Sequence, residues 1–374
     1  MIFLNHCGIS RMLPAAATAA MHQISLQAEK GALMFRGWTD PVLGVKAHAA
    51  RLLDTESTNI SYVKHTSEGL GLISAGYPFE PGDEIISYVH EYPSNHYPWR
   101  LAEKRGAKLI LVPNRTFGEL ANSPGFPQTP CGFSLEDLES RLTSRTRIIA
   151  VSHVQFPTGF ACDIAKLGEI AKKRNIDLIL DCAQSLGAMP IYPEKMNLAA
   201  IASSGWKWLR GPVGTGLLYT SASFRDKISV VMAGADLMKQ GMDYLDHAWN
   251  PYSDARKFEY STHDFSGSAA ISVCLEAAVA EGIESIFGKI QNLHSAFLDA
   301  LDQKKMMPLL YARENRSGIL SLIPANGKTA DENAAVLADQ GIVVSPRHGF
   351  IRIAPHHDNS VEDVVQAARA LNAV

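Results

Sequence analysis

Short apolar runs recur through the first two thirds of the chain and alternate with segments whose apolar residues return every three or four positions. The runs at residues 60–63, 84–89, 108–113, 148–154, 177–181, 199–203 and 216–219 have strand length and little internal alternation. That is the pattern of strands buried on both faces of a sheet. Between them, Ile164, Leu167, Ile170 and Ala171 follow Asp163 at helical spacing, and Leu135, Leu138 and Leu142 follow Ser134. Asp and Ser are residues that cap helix starts. The alternation predicts an α/β fold in which helices cover both faces of a sheet.

From about residue 258 the pattern changes. Long helices are predicted near residues 268–287 and 289–301, strands at 318–323 and 350–353, and a last helix capped by Ser360. The chain therefore reads as a large, doubly wound, mainly parallel sheet domain over residues 16–257. Residues 1–15 and 258–374 would form a smaller α+β domain that completes the site.

Composition narrows the class of function. With 374 residues, 46% of them hydrophobic and 20% charged, the chain can bury a large core. A net charge of −3 and the lack of a basic run argue against a nucleic acid or an anionic membrane as partner. No apolar stretch approaches the ~20 residues of a membrane span. Residues 1–20 lack a basic start and are interrupted by Asn5, His6 and Arg11, so a secretory leader is not expected. Cys7, Cys131, Cys162, Cys182 and Cys274 are scattered without zinc or disulfide spacing, which fits a reducing cytoplasm. His356-His357-Asp358 has metal-ligand residue types, but nothing nearby in sequence completes a set, and no metal is expected.

The chemistry concentrates at strand ends. Lys207 lies in Ser203-Ser204-Gly205-Trp206-Lys207, followed by Gly211, Pro212, Gly214 and Gly216, a tight loop between two strands. Upstream, a strand ends at Asp181. A lysine amine condenses with the aldehyde of pyridoxal phosphate, and a carboxylate keeps the pyridine nitrogen protonated, so this pair points to that cofactor. Thr66 and Ser67 follow a strand and open a helix, where hydroxyls and N–H groups meet a phosphate. Tyr92 follows the strand at 84–89 and offers a ring to stack on a flat cofactor, while Ser152 and His153 end the next long strand. All fall where α/β sheets bind ligands.

Five segments together resemble the class V aminotransferase family of fold-type I pyridoxal phosphate enzymes. They are His65-Thr66-Ser67-Glu68, Glu91-Tyr92-Pro93-Ser94-Asn95 with Pro98-Trp99, Ser152-His153-Val154 with Thr158-Gly159, Asp181-Cys182-Ala183-Gln184, and Ser204-Gly205-Trp206-Lys207. The family includes cysteine desulfurases, cystine lyases and isopenicillin epimerase-like proteins. The resemblance implies that Lys207 attaches the cofactor, Asp181 pairs with the ring nitrogen and Gln184 donates to the ring oxygen. It places Thr66, Ser67, Ser204 and Trp206 at the phosphate. It implies a homodimer in which Thr262, after Lys257-Phe258-Glu259, reaches the neighbouring subunit's phosphate. It also gives Arg352 to the substrate carboxylate and sets Asn5 and His6 near the substrate.

Three positions depart from the desulfurase pattern. Tyr92 and Trp206 stand where histidines are usual, and residues 341–350, where desulfurases carry a mobile persulfide-forming cysteine, contain none. A thiolate is the nucleophile of the persulfide route. The expected reaction is therefore a desulfurase-like or carbon–sulfur β-elimination on a small amino-acid substrate, without a loop persulfide. Amino transfer and epimerisation are the alternatives within the family, and a non-catalytic scaffold is the alternative outside it.

Overall fold

The apolar runs fold as one seven-stranded sheet in the computed structural model, which describes residues 1–115 and 132–374. A short strand β1 (Ile2–Phe3) and helices α1 (Pro14–Lys30) and α2 (Pro41–Leu53) come first. The sheet comprises β2 (Ile60–Val63), β3 (Glu84–Tyr88), β4 (Lys108–Val112), β5 (Thr146–Ser152), β6 (Asp177–Asp181), β7 (Ala200–Ser204) and β8 (Gly216–Thr220). Their order among the described residues is β2-β8-β7-β6-β5-β3-β4. From β7 to β4 every pairing is parallel, while β8 runs antiparallel to both β7 and β2. Hence β2 shares the direction of the parallel set.

Helices α3 (Thr66–Gly76), α4 (Tyr97–Glu103), α5 (Leu135–Glu139), α6 (Ile164–Arg174) and α7 (Ala222–Lys227) accompany these strands. Successive strand residues point to opposite faces. Ile148, Ala150, Ile179 and Ala202 pack with Leu70, Trp99 and Phe224 of α3, α4 and α7. Ile149, Val151, Leu178 and Leu180 pack on the other face with Val45 of α2, Leu167 of α6 and Ile271. Both faces are covered, which is why the strands read as unbroken apolar runs.

The chain continues through α8 (Phe265–Glu281), α9 (Ile283–Ala300), β9 (Met306–Pro308), β10 (Leu320–Pro324), α10 (Ala330–Asp339), β11 (Ile342–Val343), β12 (Ser345–Arg347), β13 (Phe350–Ile353) and α11 (Val361–Ala373). Strands β12-β13-β10-β9 form an antiparallel sheet, and β1 pairs in parallel with β11. Leu4, Phe297, Leu322, Ile351 and Val364 fill the core between this sheet and its helices. The break between α8 and α9 falls at Gly282, whose φ of 83° ends α8. The helical pattern of the sequence predicts it near residue 288, because strong helix formers on both sides hide a break that one glycine makes. Although it lies beyond residue 257, α8 carries Ile271, Cys274 and Leu275 into the main core. Helix α9 spans both cores, with Ile286 and Ile290 in one and Leu293 and Phe297 in the other. No helix among the described residues is long and apolar enough to cross a membrane.

Candidate active site

Because β2, β3, β5, β6 and β7 run the same way, their carboxyl ends meet at one edge of the sheet. A cleft of about 270 Å³ opens there, bounded by His65, Thr66 and Ser67 of the β2–α3 turn, Tyr92, Asp181, Gln184, Ser204, Trp206 and Lys207. With Ser152 at the end of β5, residues from five separated segments are thus brought together by strand direction alone.

Asp181 is the last residue of β6, in register with Ser152 of β5 and Ala202 of β7. Its Oδ1 accepts the Ala183 N–H at 2.9 Å. Burial raises its pKa, against the pull of that amide and of nearby Lys207. Lys207 follows β7 in a tight loop held by Gly205 N–H to the Thr215 carbonyl at 2.7 Å and Gly211 N–H to the Gly205 carbonyl at 2.8 Å. A Cβ on Gly205 would come within 2.4 Å of Thr215 Oγ1, so only glycine lets the loop close this far. Burial depresses the pKa of Lys207 and Asp181 opposes the shift. The amine is thereby closer to its neutral, nucleophilic form than a surface lysine is. Its Nζ lies 5.4 Å from the centre of the Tyr92 ring.

The opposite end of the cleft is built to receive an anion. Helix α3 begins there, with His65 as N-cap, its Nδ1 accepting the Glu68 N–H at 3.0 Å. The cap frees the Thr66 and Ser67 hydroxyls for other partners. Thr66 Oγ1 lies 2.9 Å from Ser204 Oγ, and Ser67 Oγ lies 2.6 Å from Ser94 Oγ. Four hydroxyls beside the positive end of an eleven-residue helix suit a phosphate. Ser94 lies two residues after Tyr92, and the sequence alone does not mark it as a site residue. Phe156, whose side chain also lines the cleft, lies in the loop after β5, and no periodicity marks it.

Glu91 lies beneath the cleft as a buried carboxyl. It accepts from the Ser152 N–H at 2.7 Å, from the Ser152 hydroxyl, and from Gln155 Nε2 at 3.1 Å. Burial pushes its pKa up to about 7, against these hydrogen bonds, and Asp181 adds to the rise.

Other expected residues divide between the cleft wall and the structure behind it. Ser152 and Val154 line the cleft, whereas the buried His153 between them does not, and its Nδ1 has no partner. Alternation along the chain turns its ring to the other side. Gln184 is on the wall but also structural: its Nε2 donates to the Cys7 carbonyl at 2.9 Å and its Oε1 accepts from Trp208 Nε1 at 3.1 Å. One amide N–H remains for a ring oxygen. His6 packs behind the loop, against His356 at 5.1 Å and Trp208 at 6.4 Å, with its Nδ1 on Ser10 Oγ. Asn5 bridges to Ala354, two residues beyond Arg352, and accepts from the Cys7 thiol at 3.6 Å.

Arg352 is 2% exposed. Its Nη1 donates to the Phe156 carbonyl at 2.7 Å, its Nη2 donates to Ser345 Oγ, and Nε has no partner. Among the described residues no carboxylate pairs with it. Such a buried cation is stabilised when an anion arrives. Thr262 is exposed and lines a different surface pocket, with Tyr62, Lys64 and Glu68. His356-His357-Asp358 ties the lysine loop down: His356 Nε2 donates to the Trp208 carbonyl at 3.0 Å and Asp358 accepts from Arg210 at 2.8 Å.

These features fit pyridoxal phosphate, with hydroxyls and a helix start for the phosphate, Asp181 for the ring nitrogen and Lys207 for the aldehyde carbon.

A family model described as Aminotransferase class-V matches residues 25–362. A probable cysteine desulfurase of Pyrococcus abyssi is 26% identical over 334 residues, covering 84% of this chain and 78% of that protein. A cysteine desulfurase of Escherichia coli O139:H28 is 25% identical over 346 residues, covering 89% of this chain and 77% of that protein. The apo cysteine desulfurase of Thermococcus onnurineus NA1 superposes with a TM-score of 0.84 at 22% identity, covering 100% of this chain and 94% of that one. The cystine C-S lyase C-DES, in complex with its product cysteine persulfide, gives a TM-score of 0.84 at 18% identity, covering 99% and 97%. The two solved structures share the fold-type I architecture described above. By its sequence, from the first helix to the start of the last, this chain belongs to the class V aminotransferase family.

Proposed function

We propose that the protein is a pyridoxal-phosphate enzyme that breaks a carbon–sulfur bond of a small amino acid by β-elimination. The observation that carries this reading is the convergence of Lys207, Asp181 and the start of α3 in one cleft. The desulfurase names of the relatives favour sulfur chemistry. The cofactor, when bound, supplies an electron sink for the bonds broken at the substrate α- and β-carbons. Asp181 holds the proton on the ring nitrogen, and Lys207 Nζ takes the proton from the substrate α-carbon. Arg352 takes the substrate carboxylate in its guanidinium fork. Residues 341–350 contain no cysteine, so elimination needs no loop persulfide.

The same reading makes the protein a cytoplasmic homodimer. Thr262 is on the surface and outside its own chain's cleft, where it is available to a partner's phosphate. The described cysteines, Cys7, Cys162, Cys182 and Cys274, are free thiols, in keeping with a reducing compartment.

The test is an amino-acid panel followed by absorbance and product mass. Keto acid and ammonia are expected, with released sulfide from cysteine and with a released persulfide from cystine-like substrates. Accumulation of the aminated cofactor would instead mark amino transfer, and inversion without keto acid would mark epimerisation. Borohydride reduction and peptide mapping should place the cofactor on Lys207. An adduct on another lysine overturns that assignment, and protein that takes up no cofactor would be a scaffold.

A further inference from the structure

The segment that lacks a cysteine is instead a tight hairpin. Strands β12 and β13 pair Arg347 with Phe350 and Ser345 with Arg352. The two residues between, His348 and Gly349, both have positive φ, 49° and 83°. That is the turn which joins two strands most closely. Partners across an antiparallel pair share a face, so Ser345, Arg347, Phe350 and Arg352 project to the same side. Arg347 and Arg352 are diagonal neighbours there, roughly 7–8 Å apart by sheet geometry.

The hairpin tip bears on the cleft. The His348 ring meets Phe156 edge-on at 5.5 Å, and Phe156 in turn meets Tyr92 at 5.2 Å. Phe156 and Tyr92 both line the cleft. Arg347 is exposed and, among the described residues, forms no ion pair. It is close enough to add its field to those of both Lys207 and Arg352.

The charges leave one cation over. If the cofactor is bound as proposed above, its phosphate occupies the start of α3 and its ring nitrogen takes Asp181. The substrate α-carboxylate takes Arg352. Arg347, on the same hairpin face as Arg352, then has no anion assigned to it. We infer that Arg347 reads a second acidic group on the substrate, so that the preferred substrates are amino acids with an acidic group at the end distant from the reacting carbon. That group is a carboxylate carried beyond the sulfur, on an S-substituent or on the second half of a disulfide-linked amino acid. The inference rests on the cofactor reading for its orientation and on the hairpin for its cation.

Two measurements test it, one without turnover. In the first, stabilisation against heat by succinate is compared with that by butyrate at equal concentration. Succinate should give the larger shift in the parent protein, and R347Q should remove the difference. In the second, kcat/KM is measured for matched pairs: cystine against S-methylthiocysteine, and S-carboxymethylcysteine against S-methylcysteine. The acid-to-neutral ratio should fall about 10–100-fold in R347Q, the worth of one charge-assisted hydrogen bond, through KM, with partial rescue in R347K. The pair that shows the largest fall identifies the source of the acid. Equal shifts with succinate and butyrate, or a ratio unmoved by R347Q, overturns the inference. Failure of the cofactor reading shows separately, as protein without the cofactor's visible absorbance.

Discussion

Asp181 and Glu91 are both carboxyls lifted by burial, and their partners give them different tasks. Asp181 has Lys207 nearby and an open side on the cleft, whereas Glu91 is closed in by Ser152 and Gln155. Asp181→Asn should lower kcat by about 10²–10³-fold while cofactor affinity changes far less, because its charge matters most as the α-proton leaves. Near-normal kcat would show that the ring nitrogen has another partner. For Glu91 the sign follows from a pKa raised to about 7. Between the ordinary carboxyl range and pH 7 the folded state holds a proton that the unfolded state releases. Its contribution is therefore complete in acid and is lost as pH rises to about 7, by roughly 3 kcal/mol. Glu91→Gln should gain thermal stability relative to the parent as pH rises from 5 to 8. A pH-independent difference in Tm would show that Glu91 is already ionised in the folded state.

The cysteines are answered at the same scale. Cys182 is fully buried, and burial pushes its thiol pKa up; burial also raises that of Cys274, to about 12. Cys7 is the thiol within electrostatic reach of Lys207 and Arg352. Cys7→Ala and Cys182→Ala should retain sulfur release, with packing losses of about 1–2 kcal/mol. A trapped protein persulfide, lost together with activity in either variant, would restore a desulfurase mechanism at a new position. Cys131 lies outside the described residues.

At the scale of elements, the loop from Gln155 to Phe160 joins the cleft, through Phe156, to the small sheet. It closes on itself through Gln155 N–H to the Phe160 carbonyl at 2.8 Å and Gly159 N–H to the Gln155 carbonyl at 2.9 Å. It then supplies carbonyls to the small sheet: Phe156 to Arg352, Pro157 to Ser321 at 3.1 Å, and Gly159 to Ser317 at 2.7 Å. Gly159 has φ 75°, and a Cβ there would stand 2.3 Å from the Ile319 carbonyl. Gly159→Ala meets both a backbone penalty and a clash with another backbone, for a loss of roughly 2–4 kcal/mol. Displacing this loop should raise KM for the amino acid while the cofactor absorbance stays normal. Loss of the cofactor instead would place the loop's main contribution at the large sheet.

At the scale of the molecule, buried neutral histidines set the acid limit. Burial holds His6 down to about 2 and His153 and His294 to about 4, and it lowers His356 as well. As pH falls through 6.5 the unfolded chain takes protons that the folded chain refuses, so stability drops with acidification. Glu91, Asp181 and Glu259, whose pKa burial raises, act in the opposite direction but are outnumbered by the four histidines. The Tm should fall steadily from pH 6.5 to pH 5, and a flat profile would mean that the histidines have access to water. His6 and His356 also sit between the lysine loop and the C-terminal segment, so cofactor absorbance should shift together with the loss of stability.

The sequence by itself determined the alternation of strands and helices, because the strands of a sheet covered on both faces show as unbroken apolar runs. It also marked Lys207, Asp181, Thr66, Ser67 and Tyr92, because glycines, caps and strand ends announce where chemistry is placed. The tertiary structure decided which side chains face the cleft. A single-residue step separates Ser152 from His153, and only the folded strand end shows which of the two lines the wall. It set His65 as the cap of α3, where Thr66 and Ser67 are turned to the cleft. It made β1, β11 and β12 into strands, since elements of two or three residues carry no periodicity and exist only through their partners. It also turned the segment without a cysteine into a hairpin that puts Arg347 on the same face as Arg352, a placement fixed by pairing between strands rather than by local sequence.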